Sequence, residues 1–223
     1  MSFKKYLPLL LPVVFMICYI TTHDYLYDFL TTFSCAVIVG VLAIRKGTIM
    51  SWGIVVLAFL FSIGGDRMLF TRGGSEMRFI YGIALFFVAH LFYIFFCLKN
   101  GCLNVRLFIA LLLCFMIYFF IALMPNISDK VLLMAVGLYV VVSCLSVAAA
   151  EGLSLDKTTR VLFFVGIVCL VFSDTLISIR EFLHQHLLYG LMLPTYYASQ
   201  ILVSAACICS LARTGEESLH NKE

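Results

Sequence analysis

Two aspartates stand inside long apolar stretches of this 223-residue chain. Asp66 lies in Phe61-Ser62-Ile63-Gly64-Gly65-Asp66-Arg67-Met68-Leu69-Phe70, and Asp174 in Val171-Phe172-Ser173-Asp174-Thr175-Leu176. Asp174 has no charged residue for thirteen positions before it and five after it. A carboxyl group at the centre of a membrane helix costs about 3 kcal/mol on insertion scales, so its presence there calls for a function or a partner. For Asp66 the bland explanation is a structural pairing with adjacent Arg67 or nearby Arg72. Asp174 has no basic residue on its own helical face, which weakens that explanation. Two carboxyl groups in one low-dielectric site are the usual equipment for dividing acid and base roles.

His90 is the one histidine within an apolar span, and Gly82, Phe86, His90 and Tyr93 share a helical face. A lone histidine on such a face serves packing as readily as chemistry. Tyr139, Ser143 and Ser146 follow i, i+4, i+7 spacing, and Tyr197, Gln200 and Ser204 follow i, i+3, i+7. Each is a polar stripe on an apolar helix and must face other helices rather than lipid. Interhelical hydrogen bonds of about 0.6 kcal/mol each account for the serines. The tyrosines and Gln200 are candidates for lining a cavity with the aspartates at one end.

Other chemistries lack their motifs. There is no GxSxG, Walker loop, GxGxxG or HExxH, and no CxxC among nine cysteines. His184-x-His186 falls in a loop, so no metal site is expected. The net charge of +3 is spread over many short segments, which excludes a nucleic-acid surface.

The elements that position these residues are membrane helices. Charged residues make up 12% of the chain against about 25% in soluble domains, and mean hydropathy is +1.09. A span needs about 20 apolar residues. Segments 6–22, 27–44, 51–70, 78–98, 104–124, 130–150, 160–178 and 189–212 meet that need. The expectation is a single all-α domain over residues 1–223: an integral membrane bundle of eight transmembrane helices with short loops and, apart from Pro194, no broken segments. Between the spans lie His23-Asp24, Arg45-Lys46-Gly47, Thr71 to Gly74, Lys99-Asn100-Gly101, Pro125-Asn126, Glu151 to Lys157, and Arg180 to His186. With the N-terminus inside, Lys4, Lys5, Arg45, Lys46, Lys99, Arg106, Lys157, Arg160, Arg213 and Lys222 fall on the cytoplasmic side. Arg67, Arg72, Arg78, Lys130 and Arg180 fall outside, so both termini are expected in the cytoplasm. Helices 3 and 7 then run outward, with Asp66 and Asp174 at nearly one depth and an arginine six residues after each. That match hints at a repeat of the first four helices in the last four.

The ordered set Gly65-Asp66-x-x-Leu69, Gly82, His90, Tyr93, Phe172-Ser173-Asp174-x-x-Ile177 and Tyr197-x-x-Gln200-x-Leu202 resembles the YhhN/lysoplasmalogenase family. The resemblance spans residues 36–205. It implies an eight-helix membrane hydrolase that cleaves the vinyl ether bond of lysoplasmalogens to a fatty aldehyde and a glycerophospho-alcohol, without a cofactor. It implies Asp66 and Asp174 as the acid–base pair, and His90, Tyr93, Tyr139, Ser173, Tyr197 and Gln200 around the substrate. The partners implied are a lysophospholipid substrate and membrane lipids, and the short loops fit a bacterial inner membrane. The chain departs from the family's pattern in Ala43-Ile44-Arg45-Lys46-Gly47, where a Lys-Pro pair is usual, in Ile177-Ser178 for Leu-Ala, and in Leu145 for a methionine. None removes a carboxylate. The rival readings are a small proton-coupled transporter and a non-catalytic lipid-binding or scaffold protein.

Overall fold

The computed structural model describes residues 3–185 and 188–220, so His186 and Lys222 lie outside the described residues. A 3-10 turn, Phe3–Leu9, leads into α1 (Leu10–Thr22), followed by α2 (Tyr25–Arg45), α3 (Ile49–Phe70) and α4 (Glu76–Lys99). Then come α5 (Val105–Tyr118), α6 (Lys130–Glu151), α7 (Lys157–Leu183) and α8 (Tyr189–His220). Among the described residues, eight helical segments are long and apolar enough to cross a membrane. The protein is a helical membrane bundle.

Local chemistry sets the helix ends. Side chains of Asp24, Ser75, Asn104, Asp129 and Asp156 cap the N-termini of α2, α4, α5, α6 and α7 by accepting backbone N–H groups. His23 and His184 close α1 and α7 in the left-handed conformation, at φ of 55° and 53°. Short loops reverse the chain each time. Both described ends of the chain, with the α2–α3, α4–α5 and α6–α7 loops, form one end of the bundle, and the other four loops form the far end.

Two expectations need correction. The seventh helix does not stop near residue 178. The apolar stripe continues to Phe182, which is buried and packs edge-on against Phe79 at 6.0 Å, so Arg180 and Glu181 are helical. The fifth span is also not regular. After Tyr118 it widens into a π turn over Phe119–Leu123 and tightens into a 3-10 turn over Met124–Asn126. Pro125 has no N–H to give to the carbonyl one turn back, so the α ladder cannot continue through it.

Helices α1 and α5 are the least buried and present rows such as Ile109, Leu113 and Ile117 outward, as a lipid-facing surface requires. The most extensive packing pairs α7 with α8 and α3 with α4. The α3–α4 contact depends on glycine: a Cβ on Gly65 would lie 2.7 Å from the Phe86 ring, and one on Gly82 would lie 2.9 Å from Leu69. At the end of the bundle that holds the termini, the α4–α5 and α6–α7 loops touch backbone to backbone. Cys102 N–H donates to the Gly152 carbonyl at 3.0 Å, and Ser154 N–H to Asn100 at 3.0 Å. Any side chain on Gly152 would run into the Cys102 carbonyl.

Candidate active site

The face of α4 that carries Gly82, Phe86, His90 and Tyr93 is buried against the bundle. It meets α6 along the stripe of Tyr139, Ser143 and Ser146. His90 Nδ1 lies 2.9 Å from Ser146 Oγ, and Nε2 lies 3.1 Å from the Tyr139 hydroxyl and 3.3 Å from Asp174 Oδ2. Tyr139 donates to Asp174 Oδ2 at 2.8 Å, and Ser146 donates to the Ser143 carbonyl at 2.8 Å. Three helices thus converge on Asp174, which is itself on α7.

The Ser146 hydroxyl spends its hydrogen on Ser143, so Ser146 Oγ must accept from His90 Nδ1–H. The Tyr139 hydroxyl spends its hydrogen on Asp174. His90 Nε2 is also within hydrogen-bonding reach of Asp174 Oδ2. His90 is fully buried while the Asp174 side chain keeps 11% exposure, enough to present it to a ligand.

That exposure faces a cavity walled by residues of α3, α4, α5, α6 and α7. Its wall is chiefly apolar, with Leu69, Phe79, Phe86, Phe115, Val136 and Phe182. Asp174, Tyr139, Tyr118, Ser143, Thr175 and Ser178 are the polar groups on that wall. Tyr118 and Ser178 bond each other at 2.9 Å across it, tying α5 to α7.

Asp66 stands in a second cluster. Its Oδ2 accepts from Tyr196 at 2.6 Å, and next to it Asp28 Oδ1 accepts from Tyr197 at 2.7 Å. Adjacent tyrosines of α8 thus serve carboxyl groups on α3 and α2, with the two tyrosine rings 5.6 Å apart. Asp66 thus bonds within the α2–α3–α8 cluster, apart from the hydrogen bonds around Asp174. Arg67 lies over the ring of Tyr25 and Arg72 pairs with Glu181, so the arginines near Asp66 in sequence are engaged elsewhere. Phe86 links the clusters: its ring lines the cavity, packs on Gly65 and meets Tyr196 edge-on at 6.2 Å.

The other residues marked by sequence lie apart from the cavity. Ser173 donates to the Met192 carbonyl at 2.8 Å, bolting α7 to the start of α8 ahead of Pro194. Tyr197 serves Asp28. Tyr93 and Gln200 are fully buried, and the Tyr93 hydroxyl and both polar atoms of the Gln200 side chain have no hydrogen-bond partner. Among the described residues, no three His, Cys, Asp or Glu side chains converge as metal ligands would. Asp28 escaped the sequence reading. It sits in the first turn of α2, where an acidic residue is expected for the helix dipole, and only its burial marks it as unusual.

Comparison with curated proteins and with solved structures gave no match. A model of the YhhN family matches residues 27–207, which takes in every residue of both clusters, and the chain belongs to that family.

Proposed function

We propose that this YhhN-family protein is a membrane hydrolase of the lysoplasmalogenase type, cleaving the vinyl ether of a 1-alkenyl lysophospholipid inside its own bundle. The observation that supports this most is Asp174, a carboxyl group bonded by Tyr139 and 3.3 Å from His90 on the wall of a chiefly apolar cavity. A vinyl ether is broken by moving a proton to its β-carbon, which leaves an oxocarbenium ion. Water adds to that ion, and the hemiacetal collapses to a fatty aldehyde and the glycerophospho-alcohol. One water is consumed and the acid is regenerated.

Asp174 is the group proposed to deliver the proton, with His90 and Tyr139 orienting its carboxyl group. As a carboxylate, Asp174 then accepts a proton from the incoming water, the exchange of roles familiar from glycosidases. Asp66, held by Tyr196 and off the cavity wall, is the second carboxyl group of the site and acts through space rather than by contact. The apolar wall takes the hydrocarbon chain. On the distribution of basic residues, both termini face the cytoplasm of a bacterial inner membrane, and the far end faces outward.

The test is aldehyde release from a lysoplasmenyl lipid in D2O. Carbon protonation places one deuterium on the carbon next to the aldehyde; release of aldehyde without that label contradicts the mechanism, and absence of release contradicts the activity.

A proton-coupled carrier remains the second reading, favoured by the break in the fifth span. Carrier breaks sit near the midplane and hold the substrate there. Here the break lies at the far end of its span. Proteoliposome flux of a solute without aldehyde production would establish the carrier instead.

A further inference from the structure

The cavity with Asp174 on its wall adjoins a second, charged recess at the far end of the bundle. Leu69, Phe79 and Ile177 line both, and the recess adds Arg72 from the α3–α4 loop with Arg180 and Glu181 from the end of α7. Arg72 pairs with Glu181, and its guanidinium lies 4.4 Å above the Phe79 ring. This fixes the guanidinium plane over the neck between the two spaces. Arg72 Nε is buried without a hydrogen-bond partner, although the guanidinium is otherwise held. That N–H can donate to an anion entering the recess, as a charge-assisted hydrogen bond.

The spacing suits a lipid. On α7, Arg180 lies six residues beyond Asp174, about 9 Å along the axis. In a glycerophospholipid only the three-carbon glycerol separates the ether oxygen from the phosphate oxygen. A molecule with its ether bond at Asp174 carries its phosphate toward this recess. Two guanidinium groups beside one carboxylate also complement a headgroup that carries both a phosphate and an ammonium.

We propose that this recess is the headgroup site, in which Arg72 and Arg180 hold the phosphate of a zwitterionic lysophospholipid and Glu181 faces its ammonium. The proposal rests on the hydrolase reading for the position of the ether bond, but its test needs no turnover. Purified full-length protein in detergent is titrated with three saturated ether lipids that it cannot cleave: a 1-O-alkylglycerol, its 3-phosphate, and its 3-phosphoethanolamine. The phosphoethanolamine lipid should bind the wild type at least tenfold more tightly than the alkylglycerol. Arg72→Gln and, independently, Arg180→Gln should bring that ratio near one, and Glu181→Gln should erase the preference for phosphoethanolamine over phosphate. Equal binding of the three lipids by the wild type overturns the proposal, as does an unchanged ratio in a folded Arg72→Gln or Arg180→Gln protein. A protein that prefers the phosphoethanolamine lipid yet releases no aldehyde from a vinyl ether keeps this site and loses the hydrolase reading.

Discussion

His90 Nε2 stands 3.3 Å from Asp174 Oδ2, the same oxygen to which Tyr139 donates at 2.8 Å. The two residues are on α4 and α7, and α6 supplies both Tyr139 and Ser146 to hold them. If this contact orients Asp174 for carbon protonation, His90→Gln should lower kcat about 100-fold with little change in KM, the lower range for a disturbed general acid. Steady-state aldehyde release checks it. A variant with wild-type kcat removes His90 from the mechanism.

Tyr139→Phe deletes the donor to Asp174 Oδ2 at 2.8 Å but keeps the ring. The loss of one hydrogen bond to a charged or charge-sharing group is worth about 1.5–3 kcal/mol. Activity should fall about 10- to 100-fold while the thermal unfolding midpoint moves by no more than a few degrees.

Gly65→Ala places a methyl group 2.7 Å from the Phe86 ring, and Phe86 also forms part of the cavity wall. Overpacking of this kind costs about 1–3 kcal/mol. The variant should unfold at lower temperature in detergent and bind lipid more weakly. Gly152→Ala has no such room, because its Cβ would meet the Cys102 carbonyl, and it should fail to accumulate as folded protein.

Asp156 caps α7 by accepting from Thr158 N–H at 3.1 Å and Thr159 N–H at 3.2 Å, and it pairs with Arg213 at 3.1 Å. Partial burial works to raise its pKa, but the bonds from Thr159, the charge of Arg213 and the Thr158 N–H together hold it below the usual carboxylate range. A depressed folded value means the cap stabilises above the unfolded pKa of about 3.9 and is lost as pH falls through the folded value. Asp156→Ala should therefore cost about 1 kcal/mol at pH 7. The difference from wild type should shrink as the pH drops below about 4, where both become equally uncapped. Unfolding curves across that range decide it. Arg213 is half exposed and adds little.

Most of the fold was legible because an apolar span announces itself by length alone, and all eight spans appear with shifts of a few residues. The exceptions have local causes. Arg180 and Glu181 looked like loop residues because charge normally ends a span, yet Phe182 beyond them is buried and carries the helix on. Pro125 was visible, but it was read as a simple break between spans and not as the cause of a π turn inside the fifth.

The site was legible in part. Spacing put Tyr139 and Ser146 on one face of α6 and His90 on the buried face of α4, and these three residues do meet. Spacing says nothing about which helices are neighbours or how each is rotated. Asp66 and Asp174 were expected to form one pair, yet each has its own tyrosine, Tyr196 for Asp66 and Tyr139 for Asp174. Counted from the far ends, Asp66 lies four residues from the close of α3 and Asp174 nine from that of α7, because α7 is longer than its apolar core. Arg72 and Glu181 are 109 residues apart in sequence, and no local pattern links them.

The most direct measurement compares aldehyde release from a lysoplasmenyl lipid by the wild type, Asp174→Asn and Asp66→Asn, each purified and shown by its unfolding curve to be folded. The account predicts a loss of at least about 1,000-fold for Asp174→Asn, within the range for a missing general acid, and a smaller loss for Asp66→Asn, which acts through space. Full activity in folded Asp174→Asn would contradict it.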